Sequence, residues 1–510
     1  MSIDNPSSDK PASPGARPSL LRNWISLTGL VIVVGSLFSF ALLFMMDTLS
    51  KTSNPYVGIL TYFVAPAFLF LGLFLTLVGA LRERKKLGES VGLLPKMVVD
   101  LSRPRDRKIM GMFILGSLLF LLISAIGSYH TYHFTESTTF CGEACHTVME
   151  PELVTYQHGP HARVACVQCH IGPGAEWFVK AKISGMYQLY ATAFDKFPRP
   201  VPTPIKNLRP AQETCEQCHW PQKFAGDLDR TYRYFLADET NTPFTVRMTM
   251  KVGGGDPSRG PAGGIHWHMN IANKVEYLAA KKENDMWVHD AARLNIPWVR
   301  ITDQLGVIKE FRVPGFTNDP AKFAIRTMDC MDCHNRPAHQ YQSPNKAVNL
   351  AMYLGGIDPS LPWIKSNAVF ALTQDYTNRT QALEGIATIL AQNYAPDRYS
   401  GPQEKVRSAI STVQQIYRNN FFPEMRASWQ AYPDHIGHMI WDGCFRCHDG
   451  RHKTADGKES IRANDCNSCH TILTQGQGDE LNSLTPSGQE FRHPGDEVDG
   501  LCTDCHTGGL

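Results

Sequence analysis

Three long apolar runs without a charged residue stand out in the first quarter of the chain. They cover residues 24–46, 56–81 and 109–129, and each reaches the roughly 20 residues that a helix needs to cross the hydrocarbon core of a bilayer. Buried globular helices seldom run so far without a charge, and a cleaved signal peptide would be shorter than the first run. The pattern therefore predicts three transmembrane helices within residues 22–130.

Basic residues orient these helices. Residues 82–108 contain nine Lys or Arg against four acids, whereas residues 47–55 contain a single lysine. Because basic connections stay in the cytoplasm, we expect 82–108 to be cytoplasmic. The Pro- and Ser-rich segment 1–21 is then expected to be a disordered cytoplasmic tail. Everything after the third helix should lie in the periplasm of a bacterium.

The remaining pattern is mixed. Residues 298–302 and 307–313 alternate like the two strands of a β-hairpin. Helices are predicted to begin at Ser343-Pro344 and to cover residues 380–394 and 402–419. The predicted fold is mainly α: three transmembrane helices, then short helices and loops with a small β-hairpin insertion.

Cysteine usage changes this picture. All 14 cysteines fall into seven pairs, and a histidine directly follows the second cysteine of every pair. Six pairs have the spacing Cys-x-x-Cys-His, and the first has one residue more. The motifs are Cys141/Cys145/His146, Cys166/Cys169/His170, Cys215/Cys218/His219, Cys330/Cys333/His334, Cys444/Cys447/His448, Cys466/Cys469/His470 and Cys502/Cys505/His506.

This spacing is typical of covalently attached haem c. Two thiols one short turn apart add to the two vinyl groups of a haem, and the next histidine then binds the iron. A zinc site would use two cysteine pairs for each metal and would leave the histidines unexplained, as would a disulfide framework. We therefore expect seven haems c. Their attachment outside the cytoplasm agrees with the periplasmic side predicted from the basic residues.

The motifs define the expected domains. These are a tail (1–21), a membrane domain (22–130), a tetrahaem domain (131–342) with an insertion (220–329), a haem-free helical connector (343–434) and a C-terminal trihaem module (435–510). The net charge of +2 gives no indication of nucleic-acid binding.

Several histidines outside the motifs lie where a second axial ligand would be expected, just before or after a motif or in a glycine-rich loop. They are His158, His161, His266, His268, His339, His435, His438, His452 and His493.

The order FCGEACHTVM, CVQCHIGPG, CEQCH and CMDCHNRPAHQ resembles the NapC/NirT family of membrane-anchored quinol dehydrogenases over about residues 130–342. Three membrane helices and seven motifs more narrowly resemble the ImcH-type inner-membrane cytochromes of metal-respiring bacteria. The resemblance implies that His339 is the distal ligand of the second haem. It further implies that His266 or His268 serves the third haem and His158 or His161 the fourth.

The sequence also departs from that family. Family members usually have one membrane helix, and a methionine two residues after the first motif binds its iron. Here Met149 lies three residues after His146, so both remain candidate ligands, with Met149 preferred. Near the first haem, family members have a lysine and an acid. This chain has Lys180 and Lys182, but Gln188 stands where the acid is expected.

The first motif begins only eleven residues after the last apolar run, so its haem is expected at the membrane surface. His130 and His133 share one helical face there and could hydrogen-bond a quinol. Neighbouring aromatic residues are typical of a membrane-interface belt, the interpretation that we prefer, and Lys182 would also suit lipid phosphates. Both interpretations remain open. His130, His133, Lys182 and Gln188 are the candidate catalytic residues.

The sequence thus predicts an inner-membrane quinol dehydrogenase. It would oxidise menaquinol from the membrane pool and pass electrons to periplasmic c-type cytochromes, in anaerobic or metal respiration. One alternative is an electron-transfer subunit without its own quinol site. The other is a multihaem reductase of a small oxyanion, which would need a haem iron without a distal ligand. No nucleic-acid partner is expected, and a homo-oligomer is compatible with the sequence.

Overall fold

The structure is a computed structural model, and the chain divides into two compact units, residues 1–144 and 145–510. The boundary falls inside the first cysteine motif. The described residues are 23–49, 60–87, 101–172, 175–205, 208–220, 226–253, 264–269, 273–303, 305–462, 468–495 and 502–509. The predicted tail 1–21 lies outside them, as does the middle of the basic connection, residues 88–100.

Helices form the described part of the N-terminal unit. They are α1 Trp24–Leu49, α2 Ala65–Leu87, α3 Pro104–Thr135 and α4 Thr138–Glu143. Two stretches, Trp24–Met45 and Leu60–Lys86, are long and apolar enough to cross a membrane. The third predicted span, residues 109–129, lies inside α3, and its crossing of the membrane stays a prediction.

Small residues bring α1 and α2 together. A Cβ atom on Gly29 would lie 2.5 Å from the backbone nitrogen of Thr76, so the two backbones touch where glycine occurs. The hydroxyl of Ser26 donates a hydrogen bond to the carbonyl of Thr76 at 3.2 Å, and Asn23 donates to Gly79 at 3.1 Å. Close approach at small residues with polar contacts is typical of helix pairs in lipid.

The described part of the C-terminal unit contains ten helices, several of them single turns at cysteine motifs. They are α5 His146–Gln157, α6 Cys166–His170, α7 Ala175–Ala193, α8 Ala211–Cys215, α9 Cys330–Cys333, α10 Pro344–Tyr353, α11 Ile364–Leu372, α12 Arg379–Asn393, α13 Gln403–Asn420 and α14 Cys502–Cys505.

Helices α10 to α13 enclose the largest apolar core. The three helices predicted in this stretch are confirmed, and α11 is an addition. It begins after Trp363, whose backbone is left-handed (φ +58°) and whose side chain caps no helix amide. No Ser, Thr, Asp or Asn cap therefore marks this start in the sequence.

Nine strands form three antiparallel sheets in the described residues. They are β1 Leu228–Phe235, β2 Pro243–Met250, β3 Lys274–Leu278, β4 Ala280–Glu283, β5 Met286–His289, β6 Trp298–Thr302, β7 Ile308–Arg312, β8 Ile325–Thr327 and β9 His470–Gly476. The sheet orders are β1-β2-β9, β7-β6-β3-β8 and β4-β5.

The mainly helical prediction is confirmed, and the described residues contain more strands than the one predicted hairpin. The predicted hairpin exists as β6 and β7, and it belongs to a four-stranded sheet. The three-stranded sheet takes β9 from the far end of the chain, with Met250 of β2 opposite His470. Such long-range pairing leaves no local signal in the sequence.

The helical core generates a stability prediction. Leu390 of α12 is completely buried, whereas Leu354 is 70% exposed. Replacing Leu390 by alanine removes buried methyl groups and leaves a cavity, so the free energy of unfolding should fall by about 2–5 kcal/mol. Thermal unfolding followed by circular dichroism measures this. The control Leu354→Ala should unfold like the parent, and equal midpoints for both variants would contradict the assignment of this core.

Candidate haem-binding sites

The cysteines predicted to attach haem form no disulfide bonds in the described part of the chain. Thirteen of the fourteen lie there, and Cys466 lies outside it. In the six motifs whose two cysteines are both described, the sulfurs are therefore thiols, the form that adds to a haem vinyl group. The thirteen are Cys141, Cys145, Cys166, Cys169, Cys215, Cys218, Cys330, Cys333, Cys444, Cys447, Cys469, Cys502 and Cys505.

The third motif is part helix and part turn, within the expected short helices and loops. Helix α8 ends at Cys215, and Cys218 lies in the turn that follows, where it is exposed. The carbonyl of Cys215 accepts hydrogen bonds from the amides of both Cys218, at 3.1 Å, and His219, at 2.8 Å. Two amides on one carbonyl close a turn and do not extend the helix. Haem attachment through Cys218 stays a prediction.

The sixth motif departs from the expected short helices and loops at Cys469. It lies in a turn directly before β9, which begins at His470. Its carbonyl accepts the amide hydrogen of Lys251 at 2.8 Å, which continues the pairing of Met250 with His470. The sixth motif therefore leads into a β-sheet, and the expectation is corrected there. Haem attachment through Cys469 also stays a prediction.

Every motif histidine whose side chain is described faces one histidine from outside the motifs. The ring centroids of the six pairs lie 5.8 to 6.4 Å apart. The pairs are His170–His339, His219–His161, His334–His266, His448–His268, His470–His438 and His506–His493. In each pair, the two rings come from different segments of the chain.

A haem iron fits between two imidazoles at this separation. A metal–imidazole bond is about 2 Å long and the ring centre lies roughly 1 Å behind the bonded nitrogen, so rings on opposite sides of one iron are centred about 6 Å apart. The paired cysteines ahead of each motif histidine supply the thiols for covalent attachment. The described residues therefore fit six haem c groups with two histidines each.

Hydrogen bonds hold four of the rings outside the motifs by their Nδ1 atoms. The Nδ1 atoms of His266 and His268 lie 2.8 Å from the backbone carbonyls of Val252 and Ile265. His161 and His339 make the same kind of contact at 3.0 and 2.9 Å. An Nδ1–H that donates to a carbonyl fixes the tautomer and leaves Nε2 as the nitrogen that can bind a metal.

Burial keeps most of these rings in the neutral form that binds metal. Removal from water disfavours the charged imidazolium and is the main cause of a lowered pKa at eight of them. They are His170, His268, His334, His339, His438, His448, His470 and His506.

Three candidate ligands have no motif histidine opposite them in the described residues. His158 contacts the carbonyl of Val154 through Nδ1 at 2.8 Å and Asn419 through Nε2 at 3.2 Å. In His452, Nδ1 lies 2.8 Å from Asp449 and Nε2 lies 2.6 Å from a backbone carbonyl. With both nitrogens engaged by protein atoms, neither ring has one left for an iron.

His435 is the third of these candidates. Burial, aided by the charge of Arg446, lowers the pKa of His435 to about 4, so the ring is neutral. Its Nε2 donates to the carbonyl of Ala292 at 3.1 Å, and Nδ1 can then accept from Arg446 at 3.2 Å. Both nitrogens of this ring therefore serve protein contacts.

The ring pairs follow the order implied by the family resemblance at one motif and differ from it at two. His339 faces the second motif, as expected. His161 faces the third motif and His266 the fourth, whereas the expected order was the opposite. His268 faces the fifth motif. One short 3-10 turn, Ile265–Met269, thus supplies rings to two consecutive motifs.

The first motif differs from the others. Helix α5 begins at His146 and includes Met149, which is half-buried. The two positions are three residues apart on one helix, and such positions lie on the same side of its backbone. His146 and Met149 remain alternative candidate ligands of the first haem.

Neighbouring motifs lie close together in chain order. Cys215 and Cys330 share a side-chain hydrogen bond, and Arg446 of the fifth motif donates to the backbone carbonyl of Asp332 in the fourth at 2.8 Å. Burial mainly raises the pKa of the Cys169 thiol, and the nearby Cys166 and Cys218 raise it further. His438 continues this order in the C-terminal module. Its ring stacks on Phe445 of the fifth motif at 4.3 Å, faces His470, and lies 3.9 Å from the sulfur of Cys502. The second to seventh motifs therefore form one unbroken row.

A buried carboxylate stabilises the fourth motif. Asp332, between the two cysteines, is 1% exposed. It accepts hydrogen bonds from the hydroxyl of Tyr277 and from Arg293, both at 2.6 Å, and from Arg326 at 2.7 Å. These partners are missing from the sequence-based site because their proximity arises only in the folded sheet. A charged residue between haem cysteines was the one available signal.

The candidate quinol residues lie on two helices, α3 and α7. His130 and His133 are exposed at the end of α3, and the ring of Tyr129 lies 4.4 Å from that of His133. Lys182 and Gln188 lie on α7, six residues and therefore about 240° apart around the helix. Gln188 is exposed.

The motifs, the opposed imidazoles and the apolar helices define a membrane-anchored multihaem cytochrome c. Residues 103–201 match the N-terminal region of the NapC/NirT cytochrome c family. The chain is 42% identical over 503 residues, 95% of each chain, to the cytochrome c-type protein ImcH of Geobacter sulfurreducens. No solved structure shows a significant match.

The chain therefore belongs to the NapC/NirT cytochrome c family. It is an inner-membrane electron-transfer cytochrome with covalently bound haem c.

The turn of the fifth motif generates a prediction. Gly443, just before Cys444, has φ +48°, and a Cβ atom there would collide with the carbonyl oxygen of Gly437. That carbonyl accepts the amide hydrogen of Cys444 at 2.9 Å. Gly443→Ala should therefore displace the turn and reduce covalent haem content, measured by the pyridine haemochrome assay. The strain of a left-handed alanine alone is about 1–2 kcal/mol.

Gly457→Ala is the matched control. Gly457 is also left-handed (φ +69°), but a Cβ atom there meets nothing within 4 Å. It should retain the parental haem content. A full haem content in Gly443→Ala as well would show that the collision does not matter.

Proposed function

We propose that this chain is a seven-haem quinol dehydrogenase of the bacterial inner membrane. It oxidises menaquinol near the first haem and passes electrons to periplasmic c-type cytochromes, in anaerobic or metal respiration. The N-terminus is cytoplasmic and the cysteine motifs are periplasmic. The unbroken row of the second to seventh motifs is the observation that carries this proposal, because it joins the segment after the membrane helices to the C-terminal module.

Haem c, when bound, supplies reversible one-electron chemistry. The chain's own part is to hold each iron from two sides. We assign the six opposed imidazole pairs as axial ligands of the second to seventh haems. His158, His435 and His452 are left out because both of their ring nitrogens contact other protein atoms.

The first haem has a different role in this proposal. Either His146 or Met149 would hold this haem, and we favour Met149. The other face then takes no ligand from this helix. A haem of this kind beside the last apolar helix suits the entry point for electrons from a quinol.

The quinol must lose protons as well as electrons, and exposed side chains near the first motif are suited to receive them. His130 and His133 carry imidazole nitrogens that can accept a proton, and they lie at the end of α3. On α7, Lys182 and Gln188 are the further candidates for contact with the quinol head. Because Lys182 and Gln188 lie on different sides of that helix, we expect only one of them to contact the quinol directly.

The oxyanion-reductase alternative has little support. Such an enzyme needs an iron with an open position and polar side chains around it. Every motif histidine whose side chain is described has a partner ring at 5.8 to 6.4 Å, so the open position would have to be at the first haem. The other alternative is an electron-transfer subunit without a quinol site. The quinol-oxidation experiment below distinguishes it from a quinol dehydrogenase.

Substitutions of His161 and His158, which lie three residues apart, test the ligand assignment. His161→Ala should turn one low-spin haem into a high-spin haem, because its iron loses an axial nitrogen. His158→Ala should leave all haems low-spin. Electron paramagnetic resonance and visible absorbance measure the spin state. A high-spin signal from His158→Ala, or none from His161→Ala, would reverse the assignment.

Quinol oxidation is tested with the purified, haem-loaded chain and a menaquinol analogue. We expect rapid haem reduction, followed by visible absorbance, that a quinone-site inhibitor blocks. Loss of a proton acceptor should slow this step by about a hundredfold, so His130→Ala, His133→Ala, Lys182→Met and Gln188→Ala are compared.

Lys196→Met is the control, because Lys196 lies beyond α7 and contacts the hydroxyl of Tyr190 at 2.7 Å. It should oxidise quinol like the parent. Reduction by dithionite without reduction by the quinol analogue would contradict the quinol proposal and would favour an electron-transfer subunit.

A further inference from the structure

The turns of the fourth and fifth motifs are joined by a single guanidinium group. Arg446 lies between Cys444 and Cys447, and Asp332 lies between the cysteines of the fourth motif. The Nη2 atom of Arg446 donates to the backbone carbonyl of Asp332 at 2.8 Å, across 114 residues of sequence. One haem-attachment turn is thus hydrogen-bonded directly to the next.

The same guanidinium makes further bonds that fix its position. Its Nη1 donates to the backbone carbonyl of Arg293 at 2.7 Å, and its Nε donates to that of Gly443 at 2.7 Å. Arg293 in turn donates from Nη1 to the carboxylate of Asp332 at 2.6 Å. Arg446, Arg293 and Asp332 therefore form a closed ring of hydrogen bonds, which we call the turn clamp.

The turn clamp is half-buried to buried. The side chains of Asp332 and Arg293 are 2% and 14% exposed, and Arg446 is half-buried. Charge-assisted hydrogen bonds out of water are stronger than neutral ones, and the planar arginine fork can reach several carbonyls at once. A lysine in the same place would reach fewer of them. The clamp thus depends on arginine geometry as well as on charge.

We propose that Arg446 is the positioning residue that locks the fourth and fifth haem-attachment turns together. It fixes the crossing from the first four haems to the C-terminal three. This inference rests on the proposed electron path through the haems and specifies where that path depends on a protein contact. Arg446 acts through the two turns and touches no substrate.

The test uses the full haem-loaded chain with the substitutions Arg446→Gln, Arg446→Lys and Arg451→Gln. Arg451 is an exposed arginine of the same module and makes no contact in the clamp. Leu390→Ala serves as a second control, because it lowers stability in the distant helical core. Two readouts are measured on the oxidised protein. They are hydrogen exchange of segments 330–334 and 443–448, and the magnetic interaction between neighbouring haems in electron paramagnetic resonance.

We expect Arg446→Gln to lose exchange protection in both segments and to lose the magnetic interaction of one haem pair. Arg446→Lys should show the same losses in smaller degree, while Arg451→Gln and Leu390→Ala keep the parental signals. Parental signals in Arg446→Lys and Arg446→Gln would overturn the proposal. So would the same spectroscopic change in Leu390→Ala, since that would be a general effect of destabilisation.

If Arg446→Gln takes up fewer haems, Arg446→Lys decides the outcome. Neither readout involves quinol, so a failure of quinol oxidation and a failure of the turn clamp are separate results.

Discussion

The haem unit is governed by the requirement for two axial ligands on opposite faces of each iron. A cysteine motif supplies only the near ligand, because its histidine directly follows the thiols. The far ligand must come from a segment that the fold brings back over the haem. The six imidazole pairs, centred 5.8 to 6.4 Å apart, have the separation that this requirement demands.

The insertion between the third and fourth motifs shows this most clearly. Its 3-10 turn offers His266 to one motif and His268 to the next, and the strand before that turn pairs with β9 at His470. A β-sheet thus connects rings belonging to the fourth, fifth and sixth motifs. The insertion therefore carries two of the rings that face motif histidines, and its strand β2 pairs with β9 of the C-terminal module.

The sequence predicts the parts of this molecule that depend on local spacing. The haem motifs, the apolar helices, the hairpin β6–β7 and three connector helices are all visible in short windows. Which distal histidine meets which motif is a long-range question, and there the ring pairs at the third and fourth motifs differ from the expected order. The strand that follows Cys469 was missed for the same reason, as were Asp332 and Arg446. The roles of Asp332 and Arg446 depend on contacts across 39 and 114 residues of sequence. In the sequence alone, these two residues cannot be told apart from exposed aspartates and arginines.

We propose that six haems are each held by two histidines and that the first haem is held otherwise. Near-infrared magnetic circular dichroism of the oxidised, haem-loaded chain tests it most directly, because the charge-transfer band of a low-spin haem reports its axial ligand pair. We expect bis-histidine intensity for six haems and a separate signal for the first. Bis-histidine intensity for fewer than six of the haems would contradict this proposal.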